Sequence, residues 1–155
     1  MKFRLVDKII SWRPYESITG IKAVSFEEYS LKDPFGDERR LPETLLLESF
    51  LQLGNWLILL SSNFNEMGIV IRLFEVRFHD ALKPGECVNM HINLGRRRED
   101  GFEMSGEGRV NNKVVISGLA CLAVPVPTTE YANPEDLKVL FSEIYAPETP
   151  ISVSA

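Results

Sequence analysis

The order of apolar and polar positions along the chain changes period twice. Residues 3–12 mix alternation with a short apolar pair and read as a strand, and residues 17–26 read as a second. Arg13-Pro14-Tyr15-Glu16 breaks them apart as a turn, which would let them pair antiparallel. Residues 27–41 lose all periodicity around Asp33-Pro34-Phe35-Gly36-Asp37 and read as a loop. Residues 42–62, PETLLLESFLQLGNWLILLSS, read as one helix, with Pro42 suited to its first position and Glu43 complementing the helix dipole. From Gly68 the period of two returns. Residues 69–79, 87–94, 102–110 and 114–124 are expected to be four more strands, joined by Lys83-Pro84-Gly85-Glu86, by residues 96–101 and by the hairpin signal Asn111-Asn112. Beyond Val124-Pro125-Val126-Pro127, Asn133-Pro134-Glu135-Asp136 opens a final helix, expected over residues 133–145.

The long helix carries apolar residues on nearly every side, the pattern of a buried helix. One polar line crosses it. Thr44, Glu48, Gln52 and Asn55 follow at spacings of four, four and three and share a face. A buried carboxylate is costly unless it is paired or put to use, so Glu48 is the residue to explain. Burial among leucines would favour its protonated, proton-donating form. The plainer alternative is that Glu48 and Gln52 satisfy each other or a backbone group. Phe50, Leu53, Trp56 and Phe74 are either core or the lining of an apolar tunnel.

Strands around a single buried helix make an α+β domain whose sheet curls about that helix. The 155 residues suit one domain over 1–127, with 128–155 as an extension carrying the short helix. A net charge of −5 argues against general nucleic-acid binding. Cys87 and Cys121 stand far apart in strand-like runs and form no zinc pattern. They read as reduced core residues of a cytoplasmic protein with no metal and no cofactor. Charges run through the first ten residues, unlike a signal peptide. The apolar run at 45–60 is broken by Glu48, Gln52 and Asn55, short of the roughly 20 clean residues that span a membrane.

PETLLLESFLQLGN resembles the central-helix signature P-G-V-L-x-x-E-A-x-A-Q-x-G of the FabA/FabZ 3-hydroxyacyl-carrier-protein dehydratases, with Pro42, Glu48, Gln52 and Gly54 in register. Phe3-Arg4-Leu5-Val6-Asp7-Lys8 is similar to that family's F-L-L-V-D-R opening. Val76-Arg77-Phe78 followed by Lys83-Pro84-Gly85-Glu86 is similar to its A-R-F and V-P-G-D. The likeness covers residues 3–125 and leaves out the last helix. It implies a hotdog fold, an antiparallel sheet wrapped around one long helix. It further implies acyl thioester substrates on acyl-carrier protein or coenzyme A, and a dimer with its sites at the interface. That dimer would be a homodimer, or a heterodimer with an active homologue.

In the implied mechanism a histidine removes the α-proton and a carboxylic acid assists departure of the β-hydroxyl. Glu48 matches the acid, and Gln52 would orient it or bond the substrate. Free N–H groups at the helix start would polarise the thioester carbonyl. Gly36, Pro42 and Glu43 at the helix entry, and Asn55, Trp56 and Phe74 beyond it, are the substrate-contacting candidates. Arg96-Arg97-Arg98 either docks an acidic carrier or pantetheine phosphate, or is a solvated hairpin end.

The chain departs from the family at the loop G-H-F-P-x-x-P-x-M-P-G, which supplies the histidine. Here Phe35-Gly36-Asp37-Glu38-Arg39-Arg40-Leu41-Pro42-Glu43 is shorter, has no histidine, and puts Glu43 where the family has glycine. Asp37 is the formal occupant of the histidine's place, and an exposed aspartate is a poor base for a C–H. His79 and His91, the only histidines, lie in strand contexts outside the motif. Three functions follow: a dehydratase-like enzyme with Glu48 as acid, a thioesterase in which Glu48 activates water, or a non-catalytic acyl-binding or heterodimer partner.

Overall fold

The computed structural model describes residues 4–26 and 39–148. Its elements in chain order are β1 (Lys8–Arg13), β2 (Ser17–Ala23), α1 (Glu43–Ser61), β3 (Glu66–Arg72), β4 (Glu75–Phe78), β5 (Cys87–Arg98), β6 (Gly101–Val110), β7 (Lys113–Pro127) and α2 (Pro134–Ile144). The strands form one sheet in the order β1-β2-β5-β6-β7-β3, and β4 also pairs with β7. Every pairing between these strands is antiparallel. This is the hotdog arrangement, with α1 in the cup of the sheet.

Sequence explains how closely the helix seats. Phe50, Leu53, Leu57 and Ile58 are fully buried, while Gly54 faces β6 so closely that a Cβ there would run into the sulfur of Met104. A Cβ at Gly68 on β3 would meet Ile58 Cδ1 at 2.6 Å. Small residues at these two points let the helix lie flat on the strands. With its apolar faces covered in this way, α1 is the core helix of a soluble domain rather than a membrane span.

Several expectations need correction. Residues 69–79 are two strands, not one. β7 turns at Ala120, which adopts a left-handed φ of 51° and donates its N–H to Ser105 Oγ at 3.1 Å. The ladder therefore breaks between Arg72↔Leu122 and Glu75↔Leu119, leaving Leu73 and Phe74 between β3 and β4. Arg96, Arg97 and Arg98 are not a connector but the end of β5, and only Glu99 and Asp100 make the turn. Cys87 is exposed, because alternation along β5 buries Val88, Met90 and Ile92 and turns Cys87 outward; Cys121 is buried as expected, and burial pushes its thiol up. The turn at Asn111-Asn112 is the tight hairpin its residues predict, with φ of 48° and 67°.

The extension packs back onto the domain. Asn133 Oδ1 caps α2 by accepting from the Glu135 N–H at 3.0 Å. Leu137 and Leu140 are buried, and the Phe141 ring meets Trp56 at 6.1 Å and Phe64 at 6.4 Å. Just beyond α2, the Ala146 N–H donates to the Ile9 carbonyl at 2.9 Å.

Candidate functional site

The polar line of α1 opens onto a groove of about 500 Å³. Glu48, Leu51, Gln52 and Asn55 form its helical wall, and Gly68 and residues 70–73 form the opposite one. Glu48 is exposed, which corrects the burial expected from its apolar surroundings. The cause is topological. β3 ends the strand order, so no further described strand covers the helix face that overhangs it.

Each polar residue of the line has a different local fate. Gln52 is 7% exposed. Its Nε2 donates to Glu48 Oε1 at 2.9 Å, and its Oε1 accepts the Leu5 backbone N–H at 3.1 Å. Oε2 of Glu48 has no hydrogen-bond partner among the described residues. Asn55 Oδ1 accepts the Gly68 N–H at 2.7 Å and ties β3 to the helix. Asn55 therefore lines the groove while also holding its two walls together. Thr44 is exposed and lies outside the lining.

The other expected site residues are scattered. Trp56 points away from the groove, 3% exposed, into a small enclosed space with Val6, Gln52, Leu140 and Ile144. Pro42 flanks α1, and its carbonyl accepts from the Leu45 and Leu46 N–H groups; Glu43 is exposed in the first turn. Phe74 is 72% exposed just beyond the lining residue Leu73. Gly36 and Asp37 lie outside the described residues. At the end of β5, Arg97 pairs with Glu66 at 3.5 Å and Arg98 with Glu103 at 3.3 Å. Neither histidine lines the groove: His91 bonds Thr19 and His79 bonds Ser117, each at 2.9 Å.

Two contributors escaped sequence reasoning. Arg72 is the one cation in the described lining, and only its place as a polar position in a strand marked it. The Leu5 N–H fixes the Gln52 amide, and a backbone donor leaves no trace in residue identity. The groove thus joins a carboxyl group with one oxygen unpartnered among the described residues, a guanidinium, and an apolar lining of Leu51 and Val70 with Ile71 at its edge. Such a set can move a proton beside an apolar chain that carries a polar head.

No family model matches the chain. It is 30% identical over 129 residues to the 3-hydroxyacyl-acyl-carrier-protein dehydratase FabZ of Caulobacter sp. strain K31, covering 81% of this chain and 79% of that one. Against the same dehydratase of Caulobacter vibrioides strain NA1000 it is 30% identical over 115 residues, covering 72% of each. Among solved structures, smu.793 from Streptococcus mutans UA159, bound to acetyl CoA, superposes with a TM-score of 0.63 at 9% identity, covering 81% of this chain and 94% of that one. The dehydratase heterocomplex ApeI:P from Xenorhabdus doucetiae superposes with a TM-score of 0.56 at 13% identity, covering 70% and 88%. The structural likenesses speak to the hotdog fold, and the sequence likenesses go further: the chain belongs to the FabA/FabZ-type family of 3-hydroxyacyl-acyl-carrier-protein dehydratases.

Proposed function

We propose that this protein dehydrates 3-hydroxyacyl thioesters to the 2-enoyl products, with Glu48 as the acid. The observation that carries the reading is Glu48 itself. In a chain of this family, the central-helix carboxyl group faces an open groove with Oε1 held by Gln52 and Oε2 without a partner among the described residues. In the elimination, a base takes the α-proton, the carbon–carbon double bond forms, and the β-carbon–oxygen bond breaks. Glu48 gives its proton to the departing hydroxyl, which leaves as water. Asp37 is the group assigned to the α-proton. Gln52 positions Glu48, and the apolar lining of the groove takes the acyl chain.

The substrate's arm belongs to acyl-carrier protein or coenzyme A, with Arg96, Arg97 and Arg98 as the cationic surface for the carrier end. The protein works in the cytoplasm as a homodimer. Ile71 at 61% exposure, Leu73 at 41% and Phe74 at 72% form an apolar rim on the edge of the groove, which a second copy would cover. Desolvating the groove in this way would strengthen every charge interaction inside it.

The test supplies purified protein with 3-hydroxyacyl thioesters of coenzyme A and of acyl-carrier protein and follows enoyl absorbance. Turnover that vanishes in Glu48→Ala supports the reading, and no turnover above background on either carrier overturns it. The exposure of Glu48 to solvent favours one second reading, in which its carboxylate activates water to hydrolyse the thioester. Glu48-dependent release of free thiol without enoyl product would establish that instead.

A further inference from the structure

The turn between β1 and β2 holds Tyr15 in the left-handed region, with φ of 54°. Pro14 precedes it, and the position after such a proline favours glycine or asparagine when φ is positive. A bulky residue persists there only where its surroundings hold it. The Tyr15 N–H donates to Ser61 Oγ at 2.8 Å, and its ring stacks on Phe102 with centroids 5.9 Å apart and planes at 20°. The guanidinium of Arg97 lies over the same Phe102 ring at 5.2 Å from its centroid. Opposite β6, β5 carries an extra residue between Leu94 and Arg97, a bulge that bends the strand at Gly95 and Arg96. Tyr15, Gly95, Arg96, Arg97 and Phe102 line an open recess of about 480 Å³. Among the described residues Arg96 makes no ion pair. In a chain of net charge −5, three consecutive arginines beside a strained aromatic run against the overall balance.

We propose that this recess binds the nucleotide end of a coenzyme A thioester, with adenine against Tyr15 and phosphates on Arg96 and Arg97. An aromatic face recognises a planar base, and guanidinium groups recognise phosphate. An acidic protein surface would need the arginines alone and would leave the exposed part of the tyrosine ring, 44% accessible, without a use. The recess is also within reach of the groove. Glu66, at the start of β3, bonds Arg97, and the same strand continues into the groove wall at Gly68 and Val70. Ser61, which holds the Tyr15 backbone, lies on the same helix as Glu48, about 20 Å further along its axis at 1.5 Å per residue. Roughly thirteen bonds separate sulfur from phosphorus in pantetheine phosphate, about 15 Å at the ~3.5 Å per three bonds of an extended chain. The diphosphate makes up the difference. The proposal rests on reading the groove as the thioester site, but the recess is testable without turnover.

The full chain is titrated calorimetrically with adenosine 3′,5′-bisphosphate and with coenzyme A, using adenosine and inorganic phosphate as controls. Saturable binding of the bisphosphate is expected, tighter than either control. It should weaken about tenfold in Arg96→Gln, which removes an exposed guanidinium that pairs with no described residue. A similar loss is expected in Tyr15→Asn, which keeps a residue tolerant of the left-handed backbone. No saturation by the bisphosphate, or binding unchanged in both variants, overturns the proposal. So does binding of acyl-carrier protein through Arg96 with no binding of the nucleotide. Nucleotide binding without dehydration would uphold the recess and remove the dehydratase reading; dehydration of carrier-protein substrates without nucleotide binding would do the reverse.

Discussion

The side-chain amide of Gln52 donates to Oε1 of Glu48 at 2.9 Å, and the orientation of that amide is set from its other end. Its Oε1 accepts from the Leu5 backbone N–H, so its Nε2 must face the carboxylate. Gln52→Met keeps the bulk but strands the Leu5 donor in a buried place, at a cost of about 1–3 kcal/mol. Urea unfolding should show that loss, and steady-state kinetics should show a lower kcat with KM little changed. A variant that loses stability but keeps full kcat would make Gln52 purely structural.

Glu48 offers the opposite dissociation. It is exposed and its one bond among the described residues is to a neighbour on the same helix, so Glu48→Gln should change stability by no more than about 0.5 kcal/mol. Removing a positioned proton donor should lower dehydration by ~10²–10⁴. Thermal melting and turnover measured on one preparation would expose any conflict between the two expectations.

What the sequence disclosed and what it hid follow from the range of the interactions involved. Helix α1 was legible because its apolar run and Pro42 are local signals, and Glu48 and Gln52 were legible because spacings of four place residues on one face. The exposure of Glu48 was not legible. It depends on β3 lying last in the strand order, which no local pattern encodes. The break between β3 and β4 was equally hidden, since it originates at Ala120 on the partner strand β7, about 46 residues beyond Phe74 in the chain. Trp56 had the composition of a tunnel residue, but α2 claims its ring through Phe141.

The pair Asp80–Lys113 should leave a mark on acid stability. Lys113 Nζ bonds Asp80 Oδ2 at 2.6 Å, and this bond, with the Ala81 N–H second, holds the Asp80 carboxyl below its usual range. A carboxyl lowered by folding adds stability above its unfolded value of ~3.9, and that stability is lost as pH falls through the folded value. Lys113 is raised by the same bond, so its share is present below ~10.4 and is lost as pH rises through the folded value. Lys113→Met should therefore lower stability slightly at neutral pH and leave both extremes nearly unchanged, so that the stability profile flattens. Both partners are exposed, so the effect is modest and shrinks with added salt.

The apolar rim at the groove predicts the assembly state. Replacing Phe74 with Glu and Leu73 with Glu puts two charges where a second copy would seat, on side chains already exposed. Sedimentation should show a dimer for the parent and a monomer for the double variant, with a folded signal in both. A parent that sediments as a monomer at every concentration would refute the homodimer.

The seating of α1 on β6 gives the sharpest test of how packing supports the site. Gly54 and Met104 approach so closely that a methyl on the helix has no room beside the thioether sulfur. Met104 is buried, so it cannot swing into solvent, and Gly54→Ala should cost about 1–3 kcal/mol through overpacking. The same clash would lift the helix from the sheet and strain the Asn55–Gly68 bond that fixes the groove's width one residue further on. Turnover should therefore fall in Gly54→Ala although no group lining the groove has changed. Shortening the opposing side chain tests this cause. Met104→Ala alone opens a cavity and destabilises by ~2–5 kcal/mol, whereas the double variant should recover part of both losses. A coupling of about 1 kcal/mol or more in the double-mutant cycle, with partial return of activity, is the expected result. Strict additivity would mean that Gly54 is needed for some reason other than Met104.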